Sequence, residues 1–329
     1  MRDATAFLRA AGFGAARMDP LPADASFRKY ARLTGGPAPA LLMDAPPPED
    51  VRPFLAVQRH IAGIGLSAPS ILAADEANGF LLLEDFGNAT HAALLDAGED
   101  ALPLYLEAAE TLAALHATPP PAHLPAWGAA RMAETTAATF LDWWWPATFG
   151  TPADAATCAE LAAAITTMVT PFTTAGCFVH RDYFPANLMR LAARPSPRRT
   201  GLIDFQDAAH GSPAYDLVSL VEDARRDVAP GIRAAAIARY LDARGDLDRE
   251  DFAAAMAACA AQRHLRVAAL WVRLDRRDSK PHYLVHGPRC WRLLAAALEH
   301  PATRPLRDFL DARVPPALRR NPVAVTEPA

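Results

Sequence analysis

From Asn88 onward the chain reads as helix, with one break: a stretch that loses helical periodicity at residues 177–207. Residues 177–191 are CFVHRDYFPANLMRL and residues 201–207 are GLIDFQD. Val179 ends one short apolar run, Leu188 to Leu191 form a second, and Gly201 to Ile203 form a third. The Pro- and Arg-rich segment Ala192 to Thr200 reads as the loop joining the last two into a hairpin. A fold that accommodates this island must keep a small sheet inside a helical body. Asp182, Asn187 five residues later and Asp204 seventeen beyond that can then sit at the same end of the sheet.

The flanking pattern narrows the architecture. A short helix over the first residues is followed by DASFRKYARL (Asp24 to Leu33) and ALLMD (Ala40 to Asp44), which read as a hairpin around Thr34-Gly35-Gly36-Pro37. A helix follows Pro46-Pro47-Pro48 to about Gly65, and Ser70 to Ala74 and Phe80 to Leu83 read as two more strands. Beyond Asn88, Ala/Leu-rich helices are expected at 100–117, 131–145, 154–174, 216–227, 231–244, 249–274, 282–300 and 305–313. The pattern predicts an α+β chain: a small antiparallel-sheet part over 1–86, a larger helical part over 87–315, and a frayed tail over 316–329. A cleft between two such parts is a usual ligand position.

Several classes are disfavoured. The four cysteines are far apart in sequence and form no CxxC pair, so free thiols in a reducing compartment are expected rather than zinc or disulfides. No window holds eighteen uninterrupted apolar residues and the N-terminus has no secretory pattern, so a cytoplasmic protein without a membrane span is expected. No nucleic-acid partner and no obligate protein partner are evident. The net charge of −4 conceals an asymmetry, −11 over residues 1–224 and +7 over residues 225–329. A basic C-terminal third favours an anionic small molecule over a polycationic one.

The island's residue types suit phosphoryl transfer. That reaction needs an aligned hydroxyl, a group to orient it and accept its proton, and a hard cation on the phosphate oxygens. Asp182 is the expected base, Asn187 and Asp204 the expected Mg²⁺ ligands, and ATP the expected donor. His180 reads as a brace for the loop, and Arg181 has no evident chemical role.

At these residues the chain resembles the aminoglycoside phosphotransferase and choline kinase branch of the protein-kinase-like fold. Phe184 stands where protein kinases carry Lys, Gln206 replaces the glycine of DFG, and SPAYDLVSL (Ser212 to Leu220) follows closely. The flanking segments DASFRKY, LLMDAPPPED, LLLEDFG, IDFQDA, QRHLRV and RDSKPHYL narrow the likeness to bacterial cell-wall sugar kinases. These phosphorylate the anomeric hydroxyl of N-acetylmuramate and N-acetylglucosamine in peptidoglycan recycling. The resemblance implies a bilobal fold, a structural role for Asp216, and adenine against the backbone of Glu84 and Phe86.

The chain departs from that pattern at the phosphates. It holds two lysines, Lys29 and Lys280, and the third strand offers Leu42 and Met43 where a phosphate-binding Lys is usual. Its helical Glu partner is replaced by Phe54, Val57 and Gln58. Arg28, Lys29 and Arg32 are the local cations, and backbone N–H groups near Ser26 stand in for a glycine loop. Expected acceptor contacts are Gln206, Asp207, Arg263, His264 and Lys280, with Arg277 nearby. Trp143-Trp144-Trp145 reads chiefly as core. A kinase for another metabolite or an aminoglycoside, and a nucleotide-binding pseudokinase, are the alternatives.

Overall fold

The computed structural model describes residues 1–22, 27–173 and 176–322. After a short helix, α1 (Thr5–Ala10), strands β1 (Arg17–Pro20), β2 (Lys29–Thr34) and β3 (Ala40–Asp44) lead into α2 (Arg52–Gly63), β4 (Ile71–Asp75) and β5 (Phe80–Glu84). The five strands form one antiparallel sheet in the order β1-β2-β3-β5-β4. Its register pairs Tyr30 with Met43 and Leu42 with Leu82. Leu33, Leu42 and Leu82 pack with Leu8 and Phe13 into one apolar cluster. The edge strand β1 falls where the sequence carries no strand signal, since RMDP has neither alternation nor β-branched residues. It is held by pairing Met18 with Leu33 on β2.

Helices α3 (His91–Asp96) and α4 (Ala101–His116) follow, and then a second, three-stranded sheet begins with β6 (Ala126–Trp127). Helices α5 (Ala129–Thr139), α6 (Trp145–Phe149) and α7 (Ala155–Val169) precede β7 (Cys177–Val179). A wide helical turn at Phe140–Trp144 interrupts the single helix expected over 131–145. There Trp144 stacks on Phe140 and packs on Trp291, as core. The hairpin of the island is β8 (Leu188–Arg190) with β9 (Thr200–Leu202), and β10 (Ala209–Gly211) completes the three-stranded sheet β6-β10-β7.

The remaining helices are α8 (Ala214–Val221), α9 (Pro230–Ala243), α10 (Arg249–Asp278), α11 (Gly287–Ala297) and α12 (Arg304–Arg313). The thirty-residue α10 starts at Asp248, whose carboxylate accepts the N–H groups of Glu250 and Asp251, and stops at Ser279 in the left-handed region. The stretch Ala155–Phe172 is long and apolar enough by composition to cross a membrane, a test that core helices also pass; its helix α7 packs on α5 and α12.

These elements group into two units. One comprises Met1–Thr111 with Pro185–Ala208, and the other Leu112–Phe184 with Ala209–Ala329. The β8–β9 hairpin thus belongs with the five-stranded sheet. Leu202 donates to the Ser67 carbonyl (2.8 Å), and Thr90 bridges to Met189. Gly201 is needed where it sits, because a Cβ there would come within 2.8 Å of the Phe86 ring.

Candidate active site

In the first unit, hairpin register explains why Asn187 and Asp204 meet. Leu188 pairs with Leu202, and one step outward Ile203 donates its N–H to the Asn187 carbonyl (3.2 Å). The Asn187 amide then lies 3.4 Å from Asp204, and Gln206 donates to the other Asp204 oxygen at 2.9 Å. Asp204 holds a left-handed backbone (φ 60°), a conformation Asp tolerates better than most residues and one that turns its carboxylate off the strand.

Both side chains line a cavity of about 440 Å³, together with Arg28, Tyr30, Phe54, Glu84 and Phe86. Phe205 is fully buried and packs on Phe54 at a tilt, with ring centres 4.7 Å apart. Glu84 donates its backbone N–H to Ser70, and its carboxylate is engaged by Arg194, whose guanidinium also lies over the Phe86 ring. The cavity arginines are neutralised locally: Arg28 pairs with Glu49 at 2.9 Å and Arg32 with Asp85 at 2.5 Å. Burial pushes the Tyr30 hydroxyl up to about 12; Arg28 opposes that shift and Asp204 and Glu49 reinforce it. Leu42, Met43, Val57 and Gln58 are all buried, so no Lys–Glu pair forms on the third strand and α2.

The donor set fits a magnesium ion. Among the described residues there is no cluster of three or more His, Cys, Asp or Glu placed for a metal. One carboxylate and one amide oxygen, completed by phosphates and water, is the kind of set Mg²⁺ takes in nucleotide sites.

Asp182 belongs to the second unit, in the loop after β7. That loop is pinned from below by Asp216 at the start of α8. Its fully buried carboxylate accepts the N–H of His180 (2.6 Å) and of Arg181 (2.9 Å). His116 approaches Asp216 at 3.5 Å and hydrogen-bonds Tyr240 at 2.8 Å. Burial pulls the His116 ring toward neutrality, but Tyr240, Cys177 and Asp216 outweigh it and hold its pKa well above the usual histidine value. Arg181 has φ 74°, a costly conformation for a long side chain, and several contacts hold it. Its carbonyl accepts from Arg263 (3.2 Å), and its guanidinium lies 4.3 Å over the Trp127 ring.

Asp182 lines a pocket of about 130 Å³ with Phe184, Trp271 and four arginines, Arg181, Arg225, Arg263 and Arg266. Arg263 is buried and also reaches the Tyr215 hydroxyl (3.3 Å), to which Arg266 donates as well (3.1 Å). Burial would lower the Arg263 pKa, but Tyr215 and Asp182 raise it, so its charge is secure.

The expected residues therefore sort as follows. Arg28, Glu84, Phe86, Asn187 and Asp204 share the first cavity, with Gln206 bonded to Asp204. Asp182 and Arg263 share the second pocket. His264 does not line it; the residue is fully buried and bonds Glu222 at 2.8 Å. Lys280 and Asp207 line neither cavity, Lys29 is exposed on β2 outside the first, and Ser26 lies outside the described residues. Arg181, Arg225 and Arg266 were not anticipated. The one available signal was the basic C-terminal third, together with the three-residue spacing of Arg263 and Arg266 on one helix face.

Residues 17–253 match the family model described as "Phosphotransferase enzyme family". The chain is 37% identical to the N-acetylmuramate/N-acetylglucosamine kinase of Caulobacter vibrioides, with 96% of this chain and 97% of that protein aligned. Identity to the protein of the same name from Pseudomonas aeruginosa is also 37%, over 86% of this chain and 84% of that one. Among solved structures, choline kinase from Cryptosporidium parvum superposes with a TM-score of 0.60 at 11% identity, covering 95% and 97% of the two chains. A putative aminoglycoside phosphotransferase from Ralstonia eutropha gives 0.61 at 15% identity, covering 91% and 97%. These two likenesses establish the protein-kinase-like fold.

Proposed function

This chain belongs to the phosphotransferase enzyme family, and from that premise we propose that it transfers a phosphoryl group from ATP to the anomeric (C1) hydroxyl of N-acetylmuramate or N-acetylglucosamine. The observation that carries the phosphotransferase chemistry is the hairpin register that sets Asn187 beside Asp204 on the wall of a cavity also lined by Glu84 and Phe86. The choice of acceptor rests on the likeness to relatives named for those two sugars.

In this reading Asp182 orients the attacking hydroxyl and takes its proton on a carboxylate oxygen as the bond to phosphorus forms. Asp216 serves that step indirectly, by fixing the N–H groups of His180 and Arg181 so that Asp182 is aimed before the substrate arrives. Asn187 and Asp204 hold Mg²⁺, which when bound neutralises charge on the phosphate oxygens. The adenine lies against the backbone of Glu84 and Phe86, and residues 1–86 act as the nucleotide-binding lobe. Arg28 stands in for the absent third-strand lysine. A polycationic aminoglycoside would meet four arginines around Asp182, which favours a sugar instead. The reading carries with it a cytoplasmic location, where ATP and recycled wall sugars are both available.

Incubating the protein with Mg·ATP and each sugar, then reading the product by phosphorus and carbon NMR, tests this directly. A phosphate on C1 is expected. Phosphate on another carbon, or ADP release that does not depend on the sugar, would refute the assignment.

A further inference from the structure

The pocket beside Asp182 has a property the proposed reaction does not require. Among the described residues Asp182 is the one carboxylate on its wall, against four guanidinium groups, with the buried Asp223 carboxylate in electrostatic reach of Arg225 and Arg263. Two of those groups are committed: Arg263 braces the loop carbonyl, and the Arg181 guanidinium rests on the Trp127 ring. Arg225 differs. Its guanidinium is sandwiched over the rings of Phe184 (4.7 Å) and Trp271 (5.2 Å), and among the described residues its side chain makes no hydrogen bond or ion pair. These contacts are with rings, and Arg225 is exposed, so its N–H groups remain available to a carboxylate fork. Asp223 fixes the starting direction by accepting the backbone N–H of Arg225 (2.9 Å). Across the pocket, Arg266 spends one end on Tyr215 and keeps a buried Nε without a partner.

Size limits what can enter. The pocket measures about 130 Å³, close to the ~150 Å³ of a cavity that admits a single benzene ring, so a short carboxylate-bearing arm fits within it. We infer that Arg225, with Arg266, forms a carboxylate-binding subsite beside Asp182 that gives this protein a preference for sugars bearing an acidic side arm over neutral ones. Resting on the reading of the protein as an amino-sugar kinase, it assigns the carboxylate of N-acetylmuramate to this pocket and leaves N-acetylglucosamine without a partner there.

The test uses N-acetylmuramate and its methyl ester, which keeps the shape and removes the charge. Calorimetric binding to the native protein is expected to favour the acid by roughly ten- to a hundredfold, the range for a paired, charge-assisted contact. Arg225→Gln should shrink that gap to within about threefold, and Arg225→Lys should restore only part of it, since a point charge lacks the fork. The ratio of kcat/KM for N-acetylmuramate over N-acetylglucosamine should fall with it, whereas a merely structural role would lower both sugars in parallel. Acid and ester binding equally to the native protein, or the gap surviving in both Arg225→Gln and Arg266→Gln, would overturn the inference. The acid–ester gap without C1 phosphorylation would instead sink the functional reading and leave the subsite standing.

Discussion

The two cavities handle positive charge in opposite ways. Around Asn187 and Asp204 each lining arginine is already matched to a carboxylate, Arg28 to Glu49 and Arg32 to Asp85. Around Asp182 the arginines are held by rings, a phenol and a backbone carbonyl, and they outnumber the two carboxylates that act on them, Asp182 and the buried Asp223. The first arrangement leaves net charge to be supplied by whatever binds, which suits a nucleotide arriving with its own cation. The second surrounds with arginines the carboxylate proposed to take the proton. An arginine that is merely buried and paired contributes little field; one stacked on an aromatic face retains its own.

The largest test of this contrast is Asp182→Asn. If the first unit binds nucleotide by itself and Asp182 contributes only to the transfer step, kcat should fall by about 10³-fold. Mg·ATP should still raise the melting temperature as it does for the native protein. Sugar-dependent ADP release and a thermal-shift titration measure the two halves separately. Loss of the nucleotide shift together with kcat would mean that the two sites are not separable in this way.

Much of the first site was legible in the sequence because it depends on local spacing. Two three-residue strands joined by a polar loop have one register that buries both Leu188 and Leu202, and that register puts Asn187 beside Asp204. The second pocket was legible only in part because its residues come from a loop, the turn after α8 and the middle of α10. Arg263 was found, but neighbouring His264 was grouped with it by adjacency alone. Successive helical residues point about 100° apart, so His264 faces the other way and bonds Glu222. Arg225 has no sequence partner to mark it. Its significance comes from Phe184 and Trp271, each some forty residues or more away. The attachment of the β8–β9 hairpin to Ser67 and Thr90 is likewise a tertiary fact with no local signature.

The units also differ in how a buried histidine is treated, and this predicts a two-sided pH profile of stability. His91 in the first unit is buried, and burial and then Arg190 push its pKa down to about 4. As pH falls from about 6.5 toward 4 the unfolded chain gains a proton that the native state refuses, so stability is lost, by up to about 3 kcal/mol. His116 in the second unit is raised instead, so its contribution is complete below about 6.5 and is lost as pH rises through its native value. His91→Gln should flatten the acid side of the profile, and His116→Gln the alkaline side. Urea midpoints from pH 4 to 9 measure both. An acid limb equally steep in native protein and His91→Gln would show that other groups govern it.

The smallest expected effect concerns the cation that replaces the missing lysine. Arg28 lines the cavity that holds Asn187 and Asp204, is mostly buried, and is paired with Glu49, whereas Lys29 is exposed on the strand and does not line it. A guanidinium shared between Glu49 and a phosphate gives each less than an unshared one would. Arg28→Gln should therefore raise KM for ATP by about tenfold, at the low end for a charge-assisted contact, with little change in KM for the sugar. Glu49→Gln sharpens the point, because releasing Arg28 from its carboxylate should lower KM for ATP if the pair holds the cation in reserve, and raise it if Glu49 is needed to aim the guanidinium. The pairing seen around this cavity would be incidental if Lys29→Gln produced the tenfold loss and Arg28→Gln did not.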